Sequence, residues 1–261
     1  MMRSIYPKKK FFIAPFILVL GCLSFIFAVP ARDLGANTKA DTISAAPVTD
    51  SSIAGMNVYN HFSVLYSSLK LDSLELSTEA FNYGLQGYRE LMEKGEIKND
   101  HLLTIVDFSL PSYKKRLFVI DLEKGKLLFN TFVSHGRNSG TDMATRFSND
   151  PNSFQSSLGF YVTGDTYKGE HGFSLRLDGK EEGINDKAYA RSIVMHAANY
   201  VNESVIKMKG YLGRSLGCPA VPPALHKAII NTIKNGSCLF LYSPDKTYIS
   251  HSKMIGQPTL G

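Results

Sequence analysis

Beyond His101 the chain breaks into short apolar runs, each closed by turn-forming residues, and this punctuation restricts the fold more than any other feature. Such runs are too short for helices that bury a face, yet long enough for strands. The segments His101 to Phe108, Arg116 to Leu122, Lys126 to Ser134, Leu158 to Thr163, Phe173 to Leu177, Ser192 to His196 and Ser237 to Tyr242 read as strands. Arg116 to Ser134 reads as a hairpin turning at Glu123-Lys124-Gly125. A helical period appears over Ser77 to Lys94, where Phe81, Leu85, Tyr88 and Met92 share one stripe. Ser77 can cap that helix and Gly95 can end it. Shorter helices are expected over Tyr59 to Leu71, Asn202 to Lys209 and Pro223 to Lys234. The expected architecture is β-rich α+β: a helical lead-in over 59–100, a strand-built domain over 101–243 and a tail over 244–261.

Upstream of this body lies a different texture. Arg3 and Lys8 to Lys10 form a positive start, the uncharged run Phe11 to Val29 follows, and Val29-Pro30-Ala31 offers a small-residue cleavage site. Residues 1–31 therefore read as a secretory signal peptide, with Pro15 and Pro30 arguing against an uncleaved anchor. An anchor and lipidation at Cys22 stay open; all three put the remaining chain outside the cytoplasm, in the periplasm or cell envelope. Residues 32–58, rich in Ala, Asp, Ser and Thr without a period, read as a linker. The formal charge of +6 rests on that leader, which holds four basic residues and no acid. Basic and acidic residues nearly balance in the rest, with no dense basic run, so nucleic acid is a poor partner. The 44% apolar and 20% charged composition excludes disordered, collagen-like and coiled-coil chains.

Two nucleophile motifs overlap. Gly213-Arg214-Ser215-Leu216-Gly217 spells G-x-S-x-G, but that elbow needs a helix directly after the serine, and Cys218-Pro219 with Pro222-Pro223 opposes one. Cys218 is the better nucleophile. Gly217 permits an unusual turn before it, and Pro219 biases it toward an extended backbone, so it should project from a loop. A thiol attacks acyl carbons well when an imidazole takes its proton, and His196 ends a predicted strand where it could do so. Backbone N–H groups around Gly217 and Cys218 could hold the oxyanion. On the residues alone, Cys218 is equally a disulfide partner for Cys238 and His196 equally a core histidine. Cys238, inside an apolar run, reads as a buried small hydrophobe.

Here the residues carry a resemblance. SIVMHAANYV, GYLGRSLGCPAVPP and INTIKNGSCLFLY resemble the murein L,D-transpeptidase catalytic domain of YkuD type, in the branch whose cysteine motif reads RSxGCPAxP. The likeness extends upstream through DFSLPSYKKRLFVIDL, FVSHGRNSG, FSNDPNSFQSSLGFYVTG and GEHGFSLRLDG, and covers roughly Ala80 to Tyr242. It implies a β-sandwich-like fold with flanking helices. It also implies a cysteine that attacks the peptide bond after a diamino acid in a murein stem, releases D-alanine and passes the acyl group to an amine. Hydrolysis of the same thioester, or a silent murein-binding module, are the competing outcomes. Cys218 matches the nucleophile and His196 the base, while Ser215 and Gly217 match the small residues shaping the cysteine loop. The sequence departs from the common motif at Leu216, where histidine is usual, and at Ala220, where a polar residue is usual. No residue is singled out to orient His196. No cofactor is implied, and the expected partner is a murein stem peptide bound by a monomer.

Four further residues are candidates for the cleft. His135 and His171 sit in glycine-bearing loops and could orient His196 or touch substrate, a surface or structural role being equally open. Arg191 and Arg214 flank the base and the nucleophile, and a guanidinium can hold a stem carboxylate by two parallel bonds. No H-E-x-x-H or C-x-x-C spacing appears, so no metal is expected.

Overall fold

The computed structural model describes residues 63–256. The leader of residues 1–31, the linker over 32–58, Cys22 and the start of the Tyr59–Leu71 helix lie outside the described residues; residues 63–68 are helical. In chain order the elements are α1 (Thr78–Glu93), β1 (Leu102–Asp107), β2 (Leu117–Asp121), β3 (Lys126–Thr131), β4 (Gly159–Gly169), β5 (Gly172–Gly179) and β6 (Val194–Ala197). There follow α2 (Glu203–Lys209), β7 (Ala220–Val221), α3 (His226–Ile233), β8 (Cys238–Tyr242) and α4 (Lys246–His251).

Each apolar run named above becomes a strand, and together with β7 they make one eight-stranded mixed sheet in the order β3-β2-β1-β8-β4-β5-β6-β7. β1, β2 and β8 are buried along their whole length, so they read as continuous apolar runs rather than alternating ones. The sheet curls until its edges nearly meet. Just past β3, Ser134 N–H donates to Ala220 O of β7 at 2.9 Å, and Gly136 bridges Ser215. This near-closure brings the loop after β3 against the segment that carries Cys218.

Helix α1 is capped by Ser77, whose Oγ accepts from Ala80 N at 3.2 Å. It lies on β1 and β8. The expected stripe holds at Phe81 and Leu85 but drifts by the last turn, where Leu91 is buried and Met92 exposed. Two glycines set how closely the helix sits on the sheet. A Cβ on Gly84 would stand 3.1 Å from Ile105 Cδ1, and one on Gly87 would collide with the Phe160 ring. Phe160 in turn stacks on Phe240 with centroids 4.1 Å apart at the centre of the core. Burying one such ring contributes about 2–3 kcal/mol.

Three features depart from the expectation. β4 runs on to Gly169 through a bulge between Thr163 and Thr166, which carries the β4–β5 hairpin well past the apolar run. α3 begins at His226, three residues beyond the proline that opens the turn before it. Residues 244–261 contain a docked helix. Asp245 caps α4 by accepting from Tyr248 N at 2.8 Å, and buried Tyr248 donates its hydroxyl to Glu181 Oε2 at 3.1 Å.

Candidate active site

The parallel pairing of β6 with β7 builds the site. Its register sets His196 opposite Ala220, and Cys218 lies two residues before Ala220 on the approach to β7. Base and nucleophile candidates are thereby delivered by adjacent strands. Both line one cavity of about 390 Å³, together with His171, Tyr200, Arg214 and Leu216.

His196 is buried, and its Nδ1 lies 2.9 Å from Ala197 O. A carbonyl can only accept, so Nδ1 carries the proton and Nε2 keeps a free lone pair. The group that orients this imidazole is therefore the backbone carbonyl of the next residue, for which no side-chain signal exists in the sequence. His171, at the tip of the β4–β5 hairpin, stacks on His196 with centroids 4.3 Å apart and planes 21° apart. Burial lowers the His196 pKa, the bond to Ala197 O partly restores it, and the charge of His171 lowers it again. The ring is thus neutral at neutral pH and able to take a proton.

Cys218 is half-buried and unbridged, with Sγ 3.7 Å from Ser192 O. Burial pushes its thiol up, against the Val194 amide and the Arg191 charge that draw it down. The thiol and the imidazole that line this cavity are then both neutral at rest. Cys238 is fully buried in β8, where burial alone pushes its thiol far up.

The nucleophile loop is braced by two hydroxyls. Ser215 Oγ donates to Cys218 O at 2.7 Å and accepts from Gly217 N at 3.1 Å. Gly217 has φ +126°, and a Cβ there would stand 2.8 Å from Gln155 O, so only glycine fits. Ser156 Oγ donates to Gly217 O at 3.1 Å from behind. The Gly217 N–H, expected as an oxyanion donor, is thus committed to Ser215, and the Cys218 amide is the candidate left.

Two expected cleft residues lie elsewhere. His135 is fully buried away from the cavity, with Nδ1 2.7 Å from Arg116 Nη2 and Nε2 3.3 Å from Gly140 O. A guanidinium can only donate, so Nδ1 accepts and the ring is neutral. Burial, followed by the Arg116 charge, pushes its pKa down to about 3. Arg191 does not line the cavity either: its guanidinium spends four bonds on residues 148–157. Arg214 does line it, with Nη1 tied to Gly140 O at 2.9 Å and Arg137 O at 3.2 Å.

The family model for the L,D-transpeptidase catalytic domain matches residues 72–242, well over half of the chain. The chain belongs to the L,D-transpeptidase catalytic domain family. None of the curated proteins matches it. Among solved structures this L,D-transpeptidase domain is similar to an L,D-transpeptidase from Mycobacterium smegmatis, at 13% identity and TM-score 0.34 over 55% of this chain. The helical cell shape determining protein Pgp2 from Campylobacter jejuni gives 16% identity and TM-score 0.37 over 61% of this chain. An L,D-transpeptidase from Stackebrandtia nassauensis gives 13% and 0.34 over 65% of this chain and 69% of its own. The chain spans 59% of the mycobacterial protein and 54% of Pgp2.

Within this L,D-transpeptidase domain, Tyr200 and the Ala197 carbonyl are site features that the sequence did not offer. Tyr200 follows β6 by three residues and packs its ring where a Cβ on Gly213 would fall, so the glycine admits it to the cavity wall. The Ala-Ala-Asn-Tyr stretch after His196 carried that information only as a strand end, where side chains enter clefts.

Proposed function

We propose that the chain is an exported murein L,D-transpeptidase in which Cys218 is the nucleophile and His196 the general base and acid. The observation that carries this reading is the shared cavity, with an unbridged thiol and an imidazole whose Nε2 is free. His196 Nε2 takes the thiol proton as Sγ attacks the carbonyl carbon of the diamino acid in a stem peptide. The Cys218 amide stabilises the oxyanion. Collapse breaks the C–N bond to D-alanine, and His196 returns the proton to the departing amine. The resulting thioester is attacked by the amine of a second stem; His196 removes its proton, the C–S bond breaks and the thiol is restored. Arg214 is suited to hold a stem carboxylate, since among the described residues only its Nη1 is hydrogen-bonded. His171 shields the base from water by covering its ring face. Residues 1–31 supply export, and murein stems are the partners.

The test is incubation with purified tetrapeptide muropeptides and a mass count of the products. Cross-linked dimers with matching release of D-alanine are expected, and Cys218→Ala should yield neither. Trimmed stems alone would make the chain a hydrolase, and no product would make it a silent binding module.

A further inference from the structure

Arg191 and Ser192 form the corner that leads into β6, and both reach back to the nucleophile loop. Ser192 adopts φ +55°, a left-handed backbone that costs a serine roughly 1 kcal/mol, and its carbonyl faces Cys218 Sγ at 3.7 Å. Ser192 N–H donates to Tyr189 O at 3.0 Å and Ile193 N–H to Ala188 O at 2.9 Å, so the corner is held by its own turn.

Arg191 has a different set of partners. Its Nη1 donates to Ser148 O at 2.7 Å and Ser157 Oγ at 2.5 Å; its Nη2 donates to Gln155 O at 2.7 Å and Ser153 Oγ at 3.1 Å. The segment so gathered is the wall behind the nucleophile, because Ser156 holds Gly217 O and Gln155 O closes the space beside Gly217. Arg191 Nη2 itself stands 3.5 Å from the point where a Gly217 Cβ would be. One guanidinium therefore joins the strand that carries the base to the loop that backs the nucleophile. All four of its acceptors are neutral oxygens, so no carboxylate quenches the charge by direct contact.

We propose that Arg191 is a positioning residue of the transfer reaction: it fixes the nucleophile loop against β6 and sets a positive charge behind the Cys218 sulfur. The inference rests on the reading of Cys218 as nucleophile. It assigns Arg191 two separable roles, one mechanical through the planar fork and one electrical through the charge. The groups facing the thiol are Arg191 ahead of β6, His196 on it, Tyr200 after it, and Arg214 from the nucleophile's own loop; His171 reaches the same cavity from the β4–β5 tip. No Asp or Glu among the described residues lines that cavity. Asp150 is the acid whose charge Arg191 feels, from the segment it binds. Burial raises the thiol pKa and the Arg191 charge lowers it, so removing the charge moves the midpoint of thiolate formation upward.

Alkylation of Cys218 by iodoacetamide across pH reads the electrical role without any murein substrate, and muropeptide turnover reads the mechanical one. Arg191→Met should move the alkylation midpoint up by about one pH unit. It should also lower kcat by about a hundredfold with KM changed less than about threefold. Arg191→Lys keeps charge without the fork, so its midpoint should stay within about 0.3 of wild type while kcat falls about tenfold. Ser153→Ala removes one acceptor and no charge, and should lower kcat severalfold at an unchanged midpoint. Near-ultraviolet circular dichroism reports whether each variant is folded. If Arg191→Met does not fold, the other two variants carry the test, and wild-type kcat in both overturns the proposal. An unmoved midpoint in folded Arg191→Met overturns it as well. Full turnover by Cys218→Ala would instead overturn the nucleophile reading, which keeps the two failures apart.

Discussion

Replacing His135 by asparagine should remove a measurable share of the protein's acid sensitivity. His135 is fully buried, accepts from Arg116 Nη2, and has a folded pKa of about 3 against an ordinary 6.5. Between those values the unfolded chain binds a proton here that the folded chain refuses. This residue's contribution to stability is therefore complete above pH 6.5 and is lost as pH falls from 6.5 toward 3. The slope is about 1.4 kcal/mol per pH unit, so the loss reaches roughly 2–3 kcal/mol by pH 4.5. Asparagine can still accept from Arg116 through Oδ1 but does not titrate. The variant should be less stable at pH 7.5 by about 2–4 kcal/mol, for lost ring packing and the Gly140 contact. Its deficit should then shrink steadily as pH falls. Urea unfolding of both proteins from pH 7.5 to 4.5, with slope m held common, measures the difference. The carboxylates Asp107 and Glu181, whose pKa values burial raises, affect both proteins equally and cancel. Parallel stability curves would refute the assignment of His135 as a neutral, buried acceptor.

Further outcomes follow from the same geometry. Gly87→Ala gains about 1 kcal/mol of helix propensity but drives a methyl into Phe160, so a net loss of about 1–2 kcal/mol is expected in urea unfolding; a gain would contradict the close helix–sheet contact. Gly217→Ala must adopt φ +126° against Gln155 O, and should cost at least about a hundredfold in kcat with the fold intact by circular dichroism. In native protein, iodoacetamide should label Cys218 and spare Cys238 until denaturant is added; peptide mapping that finds a Cys218–Cys238 bridge would contradict this. Because burial lowers the His196 pKa, the acid limb of kcat/KM should lie below pH 6.5, and a limb above it would show the base in a different environment.

The sheet was legible at β1, β2 and β8 because burial on both faces makes each of them an unbroken apolar run with polar punctuation. β7 escaped because Ala220-Val221 is too short to show any period and lies between Pro219 and Pro222. The β4 extension escaped because Asp165 to Lys168 is polar and enters the ladder only through a bulge. α4 carries a signal in Asp245, an N-cap residue, but its six residues are too few to show a helical period. In the candidate site, residue type put Cys218 on a loop and His196 at a strand end but left each open between a chemical and a structural role, and only the family resemblance favoured the first. His135 could not be placed, since its neighbour Gly136 says loop while Arg116, a strand away, decides that the ring is buried. Arg191 flanks the base His196 in sequence, but its partners at 148–157 are set by tertiary contact alone.

Thioester formation between Cys218 and a murein stem can be observed by intact-protein mass spectrometry. The protein is mixed with a tetrapeptide muropeptide lacking an acceptor amine, quenched in acid within a turnover, and weighed beside Cys218→Ala. The expected result is an adduct equal to the muropeptide less D-alanine, carried by the Cys218 peptide, discharged by hydroxylamine and absent from the variant. An adduct on another residue, or turnover by Cys218→Ala at the wild-type rate, would contradict it.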